Sequence, residues 1–266
     1  QYTMSKLQLS RRNLLRAAAS ASITLPLAGC DMFDGLRDRE SAMRQFMQSV
    51  NGLTYRTQRL LLSGDQLAQE FTSDDIRQGQ KPNDSTDPDT PEYFKVKANT
   101  FASYQLVVDG LVEAPQSFTL DALQSLPQRT QITRHDCVEG WSTIAQWQGT
   151  PVSHVLERVR LKPDARYIVF HCFDALTKSL SGLDYYYESI DLVDAHHPQT
   201  ILAHSMNGKP LPVENGAPLR VRVERQLGYK MAKYIQRIEA VSTLDNIHGG
   251  NGSYWADRGY EWFAGI

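Results

Sequence analysis

Cysteine is scarce in this chain: three residues, Cys30, Cys137 and Cys172, among 266. A disulfide framework is thereby excluded. There is no Cys-x-x-Cys pair, so nothing points to a zinc ribbon or a covalently attached c-type haem. His-Glu-x-x-His, an EF-hand loop, Gly-x-Gly-x-x-Gly, a Walker loop and Gly-x-Ser-x-Gly are missing too. The sequence case for zinc proteolysis, calcium binding, nucleotide binding and serine hydrolysis goes with them. The apolar stretch from Ala17 to Leu27 is too short for a permanent membrane span. Net charge is −2, which gives no electrostatic reason to expect nucleic acid or an anionic membrane surface as a partner. Hydrophobic content of 41% and charged content of 22% describe an ordinary globular protein with enough apolar surface for one moderately large domain.

What is present begins with an address. Ser10-Arg11-Arg12-Asn13-Leu14-Leu15 resembles the twin-arginine export signal, and the uncharged stretch after it ends in Leu27-Ala28-Gly29-Cys30, which resembles a lipobox. The resemblance implies a signal segment over 1–30 and a lipid anchor on Cys30, hence a periplasmic protein tethered to the inner membrane. Residues 31–90 are expected to hold a helical segment and a polar linker. Apolar side chains at helical spacing run through 38–71, with breaks expected at Asn51-Gly52 and Ser63-Gly64, and 73–90 is polar.

The core is expected over 91–266. Tyr104 to Val108 reads as a strand closed by Asp109-Gly110, and Thr119 caps a short helix. Thr150-Pro151 opens another helix, with Val152, Val155, Leu156 and Val159 on one face. Arg166 to His171, Leu219 to Glu224 and Ile235 to Val241 read as strands. Strands and short helices alternate without βαβ regularity, which predicts a mixed α+β fold. His196-His197 reads as a solvent-exposed pair.

The chemistry concentrates at Arg134-His135-Asp136-Cys137-Val138-Glu139-Gly140-Trp141-Ser142. A cysteine in a polar loop, beside an arginine and a histidine that would stabilise its thiolate, suits metal ligation or nucleophilic attack better than core packing. With only residue types to go on, a metal ligand, a cysteine nucleophile and a Cys137–Cys172 disulfide all remain open.

Cys137-Val138-Glu139-Gly140-Trp141-Ser142 resembles the cysteine loop of the sulfite-oxidase superfamily of molybdopterin enzymes, closest to the branch of periplasmic methionine-sulfoxide reductase catalytic subunits. Two further blocks carry the likeness: Met206-Asn207-Gly208-Lys209-Pro210-Leu211-Pro212 with Asn215-Gly216-Ala217-Pro218-Leu219-Arg220, and Gly228-Tyr229-Lys230-Met231-Ala232-Lys233-Tyr234-Ile235. The resemblance spans about 93–262. It implies a molybdenum–molybdopterin cofactor, of which the sequence does not say whether it carries a nucleotide, with the Cys137 thiolate as metal ligand and Glu139 close to the metal. Asn99, Cys172, Asn215, Arg220, Met231, Ala232 and Lys233 fall at its cofactor-contact positions. Soft sulfur ligation of a redox metal is chemically sensible, and Arg220 and Lys233 suit a phosphate. The implied reaction is two-electron oxygen-atom transfer on a small-molecule or protein-bound oxo-substrate, with a separate haem-containing electron-transfer partner, in a monomer. Sulfite oxidation, with Arg134, Arg222 and Arg225 as anion-binding candidates, and a non-catalytic pterin-binding scaffold are the alternatives.

Overall fold

Short alternating apolar segments build two sheets in the computed structural model, which describes residues 41–61, 64–77, 79–179 and 182–266. The expected signal segment and Cys30 lie outside these. Two units are distinguished, Gln1–Val50 and Asn51–Ile266. Of the first, only residues 41–50 are described, the opening turns of helix α1 (Ala42–Leu61). Everything below concerns the second. Helix α1 continues through Asn51-Gly52, where a break was expected, because a glycine facing open space weakens a helix without ending it.

The first sheet contains β1 (Gln105–Gly110), β2 (Gln116–Thr119), β5 (Tyr167–Ser179), β6 (Gly182–Asp191) and β10 (Ile235–Val241), in the order β2-β1-β10-β5-β6. Only β1 and β10 pair in parallel within it. Leu106 and Val108 of β1 point inward and their neighbours outward, the period of two that a half-buried strand requires. In β10 the buried residues are Ile235, Ile238 and Ala240, and a bulge between Ile235 and Arg237 accounts for the slip in alternation.

The second sheet runs β3 (Arg129–Cys137), β4 (Trp141–Pro151), β7 (Ile201–Met206), β8 (Lys209–Pro210), with β9 (Arg220–Arg222) also paired to β7. Four short helices complete the unit: α2 (Pro91–Lys97), α3 (Leu120–Gln124), α4 (Val152–Val159) and α5 (Leu192–Ala195). The α+β expectation holds. Helix α4 buries Val152, Val155, Leu156 and Val159. Thr119 caps α3 by accepting from the Ala122 amide at 3.1 Å. Thr150 does not cap α4; its hydroxyl donates instead to the Leu123 carbonyl at 2.7 Å. No helix among the described residues is long and apolar enough to cross a membrane.

Gly149 lies where β4 crosses β7, and a Cβ built there would sit 2.1 Å from the Leu202 carbonyl oxygen. Gly149→Ala must push two backbones apart, and we expect a loss of about 2–3 kcal/mol in urea unfolding. A loss under about 0.5 kcal/mol would show that the sheet yields freely here.

Residues 64–90, expected to be a helix end and a linker, form a strap bonded to the second sheet. The Phe71 amide donates to the Ile132 carbonyl at 2.9 Å, and Glu70 bridges Thr133. The Arg77 amide and Gln80 Nε2 both donate to the Ile144 carbonyl, at 3.3 and 2.7 Å. At the far end the Thr90 hydroxyl donates to the Phe173 carbonyl at 2.8 Å. The segment is polar because hydrogen bonds to strand backbone hold it, rather than apolar burial.

Candidate cofactor site

Strands β3 and β4 form a hairpin whose last pair is Cys137 opposite Trp141. Cys137 therefore ends a strand rather than lying in a loop. The turn beyond it closes with the Gly140 amide donating to the Cys137 carbonyl at 3.1 Å, at a φ of +84° that favours glycine. Val138, Glu139 and Gly140 are exposed and Cys137 is half-buried, so the thiol stands at the rim of the molecule.

The electrostatics around the thiol differ from the sequence expectation. Burial pushes the Cys137 thiol above its ordinary value, and a backbone hydrogen bond at Glu139 offsets this only in part. Arg134 points to the other strand face and pairs with Asp136 at 2.9 Å. His135 is buried, and burial followed by Arg222, Arg220 and Lys233 holds its pKa well below the usual histidine range. The neutral ring accepts from Arg222 Nη1 through Nδ1 at 2.9 Å. Neither neighbour lends the thiol positive charge; the cation that pulls its pKa down is Lys81, and its pull is smaller than that of burial. Glu139 accepts from Trp141 Nε1 at 2.8 Å, with Lys81 Nζ at 3.6 Å.

Beneath the hairpin lies a buried cationic floor. Strand alternation turns Arg220 and Arg222 to one side of β9. Both guanidinium groups lie under the Trp147 ring, 5.0 and 4.4 Å from its centroid. Arg222 is matched: it donates to both oxygens of Glu224, at 2.9 and 2.7 Å, and Gln131 Nε2 donates to the same carboxylate at 2.8 Å. Among the described residues Arg220 has no such partner. It donates to the Asn215 carbonyl at 2.9 Å and the Met231 carbonyl at 3.3 Å, and its Nε is buried with no acceptor. Burial first, then Arg222, pull its pKa down to about 9. Lys233 is also buried; burial first and Arg220 second bring it down to about 7. Its ammonium donates to the Glu214 carbonyl at 3.1 Å and to the strap carbonyls of Asn83 and Ser85.

A buried guanidinium without a carboxylate, beside an ammonium that burial also disfavours, is a donor set for a phosphate. A soft thiol on the same hairpin is suited to a redox metal. These residues fit a pterin cofactor with a metal at one end and a phosphate at the other. The cavity that Asn83, His135, Trp147, Asn215 and Arg220 line has a volume of about 10 Å³.

The remaining expected contacts separate. Met231 and Ala232 border the floor through their carbonyls, which accept from Arg220 and from the Val221 amide. Cys172 is fully buried in the main apolar cluster, a free thiol like Cys137, and the two are on different sheets. Asn99 is exposed, and its Oδ1 accepts from the Ser103 hydroxyl at 3.2 Å. His197, read as exposed, is buried with Nε2 at 3.0 Å from the Gln66 carbonyl. The arginines proposed for a sulfite pocket do not converge as free cations. Arg134 pairs with Asp136, Arg222 with Glu224, and Arg225 with Asp194 at 2.7 Å. Sequence reasoning missed Trp147, Gln131 and Glu224, and read His135 as a partner of the thiolate where it is the buried acceptor of Arg222; the Arg-x-Arg-x-Glu spacing was the signal for Glu224.

Asp174, two residues beyond Cys172, is buried with Oδ1 unpartnered, and burial pushes its carboxyl up to about 7 against the opposing pull of Lys233. A carboxyl whose folded pKa is raised above its unfolded one loses stability as pH rises between the two. Asp174→Asn is therefore expected to stabilise the fold by about 2 kcal/mol at pH 8 and by nothing below about pH 4. Urea midpoints at the two pH values check this, and an equal gain at both would remove ionisation as the cause.

Residues 93–246 match the family model described as the oxidoreductase molybdopterin binding domain. A protein of Azospira oryzae, provisionally named protein-methionine-sulfoxide reductase subunit YedZ1, is 44% identical over 164 residues, which cover 62% of this chain and 56% of that protein. The protein-methionine-sulfoxide reductase catalytic subunit MsrP of Ralstonia nicotianae is 39% identical over 145 residues, covering 52% of this chain and 44% of its own. The chain thus spans about half the length of the curated relatives it matches. Among solved structures, the sulfane dehydrogenase SoxCD from Paracoccus pantotrophus aligns over 53% of this chain and 39% of its own, with a TM-score of 0.48 and 22% identity.

Proposed function

Because the chain belongs to the oxidoreductase molybdopterin-binding domain family, we propose that it holds a molybdenum–molybdopterin cofactor and reduces an S-oxide such as methionine sulfoxide. The observation that carries this is Arg220: a buried cation with no carboxylate partner among the described residues, beside Lys233 and below the strand that ends in Cys137. When bound, the cofactor supplies two-electron exchange of an oxygen atom. Cys137 ligates the metal. Arg220 and Lys233 hold the phosphate, while Asn215 and the Met231-Ala232 backbone frame it. Asn99 and Cys172 fall outside this set.

The hairpin turn leaves the approach to Cys137 open, and Val138 is 44% exposed there, which suits a sulfoxide carried on a protein chain. Glu139 stands at this mouth and fixes Trp141 through its indole N–H. The neutralised arginines and the names of the relatives favour sulfoxide over sulfite. In this reading the protein is exported by the twin-arginine route, acylated at Cys30, held as a monomer at the periplasmic face of the inner membrane, and served by a separate haem protein.

The test is molybdenum and pterin content after expression in a host with working cofactor synthesis. About one of each per chain is expected. Arg220→Met should lower pterin affinity by about 100-fold, the worth of two charge-assisted hydrogen bonds. Folded protein without pterin from that host would overturn the assignment. Turnover of sulfite in preference to sulfoxide would overturn the substrate.

A further inference from the structure

An ammonium has three N–H donors. All three of Lys233's go to backbone carbonyls: Glu214 below, and Asn83 and Ser85 of the strap above. The Tyr234 hydroxyl donates to the same Ser85 carbonyl at 3.0 Å. A phosphate can gain Lys233 only by displacing one of these acceptors. Room points the same way. The cavity between strap and floor has about 10 Å³, space for about one water and far less than a phosphate needs.

Few contacts hold the strap here. It is fixed at Gln80, which donates to the Ile144 carbonyl at 2.7 Å, and at Thr90, which donates to the Phe173 carbonyl at 2.8 Å. Between them, the Asn83 and Ser85 carbonyls tie it to Lys233 and Tyr234. Ion pairs of Lys81 with Glu139, Asp87 with Lys97 and Asp89 with Lys178 lie on exposed surface and contribute little, and Lys81 Nζ also stands 5.2 Å from the Trp141 ring centroid. Asp84, at the centre of the span, has a φ of 50°, a left-handed conformation that costs energy for a residue other than glycine.

We propose that residues 81–87 are a displaceable cap on the anion site, with the Asn83 and Ser85 carbonyls standing in for phosphate oxygens at Lys233 until the cofactor takes their place and the cap lifts. This rests on the cofactor reading above. An anionic oxygen is a stronger acceptor for an ammonium than a neutral carbonyl, so the exchange runs toward the loaded form. Lifting the cap also opens the room the phosphate needs.

Hydrogen–deuterium exchange on the full chain, purified from hosts with and without cofactor synthesis, tests this independently of turnover. Peptides covering 83–87 should exchange about tenfold faster in the loaded protein, the factor that one charge-assisted hydrogen bond is worth. Lys233→Met in the cofactor-free protein should give the same acceleration. Pterin bound with unchanged or slower exchange over 83–87 would overturn the cap and leave the cofactor assignment standing. No pterin in the sample from the competent host would overturn both.

Discussion

Arg222→Met should destabilise the protein by about 3–5 kcal/mol. The guanidinium and Glu224 are both wholly buried and joined through two parallel bonds of 2.9 and 2.7 Å. Removing the cation strands a carboxylate with no water to solvate it, and also leaves His135 Nδ1 without its donor. The damage reaches beyond one contact, because Glu224 accepts from Gln131, which also donates to the Gln199 carbonyl at 3.1 Å. Urea unfolding followed by the emission of the chain's four tryptophans, of which Trp147 covers Arg222, measures the loss. The double variant Arg222→Met with Glu224→Leu should recover most of it, since two buried ions then leave together. If the single variant falls within about 1 kcal/mol of the parent, the pair does not carry the stability assigned to it here.

Cys137→Ser should abolish turnover while leaving the fold intact. The side chain is half-buried at the end of a hairpin, so the exchange of sulfur for oxygen is expected to move stability by less than about 0.5 kcal/mol. A hydroxyl is a hard, poorly ionised ligand, and loss of the thiolate should exceed the roughly 100-fold cost of losing even an outer-shell partner at a metal site. Pterin should stay bound if, as proposed, Arg220 and Lys233 hold the other end. Sulfoxide turnover, molybdenum content and pterin content, measured on one preparation, separate these roles. Turnover within tenfold of the parent would remove Cys137 from the metal.

Much of this was legible in the sequence where local physics decides alone. Thr119 capped its helix, the α4 face was apolar at helical spacing, and β10 ran from Ile235 to Val241 as read. The blocks around Cys137, Asn215 to Arg220 and Met231 to Lys233 indicated the family. What stayed hidden depends on partners distant in sequence. Strand β6 buries Glu188, Ser189 and Asp191, so its apolar alternation is broken by polar groups. Glu188 is accommodated by Lys230, also fully buried, a pairing that no local window shows. The strap looked like a linker because its stabilisation lies in backbone bonds to β3 and β4. The thiol's surroundings were misread because neighbours in sequence are not neighbours in charge. Strand alternation turned Arg134 away, and burial kept His135 neutral.

The placement of β10 bears on how the chain is made. The last strand in sequence is the middle strand of the first sheet, flanked by β1, formed some 130 residues earlier, and by β5. Until residues 235–241 emerge from the ribosome, β1 with β2 and β5 with β6 are separate hairpins, each offering an unpaired inner edge. Open edges of that kind recruit other chains, and contacts so far apart in sequence form slowly. Nascent chains stalled before Ile235 should therefore bind holding chaperones, and release should coincide with the synthesis of that single seven-residue strand.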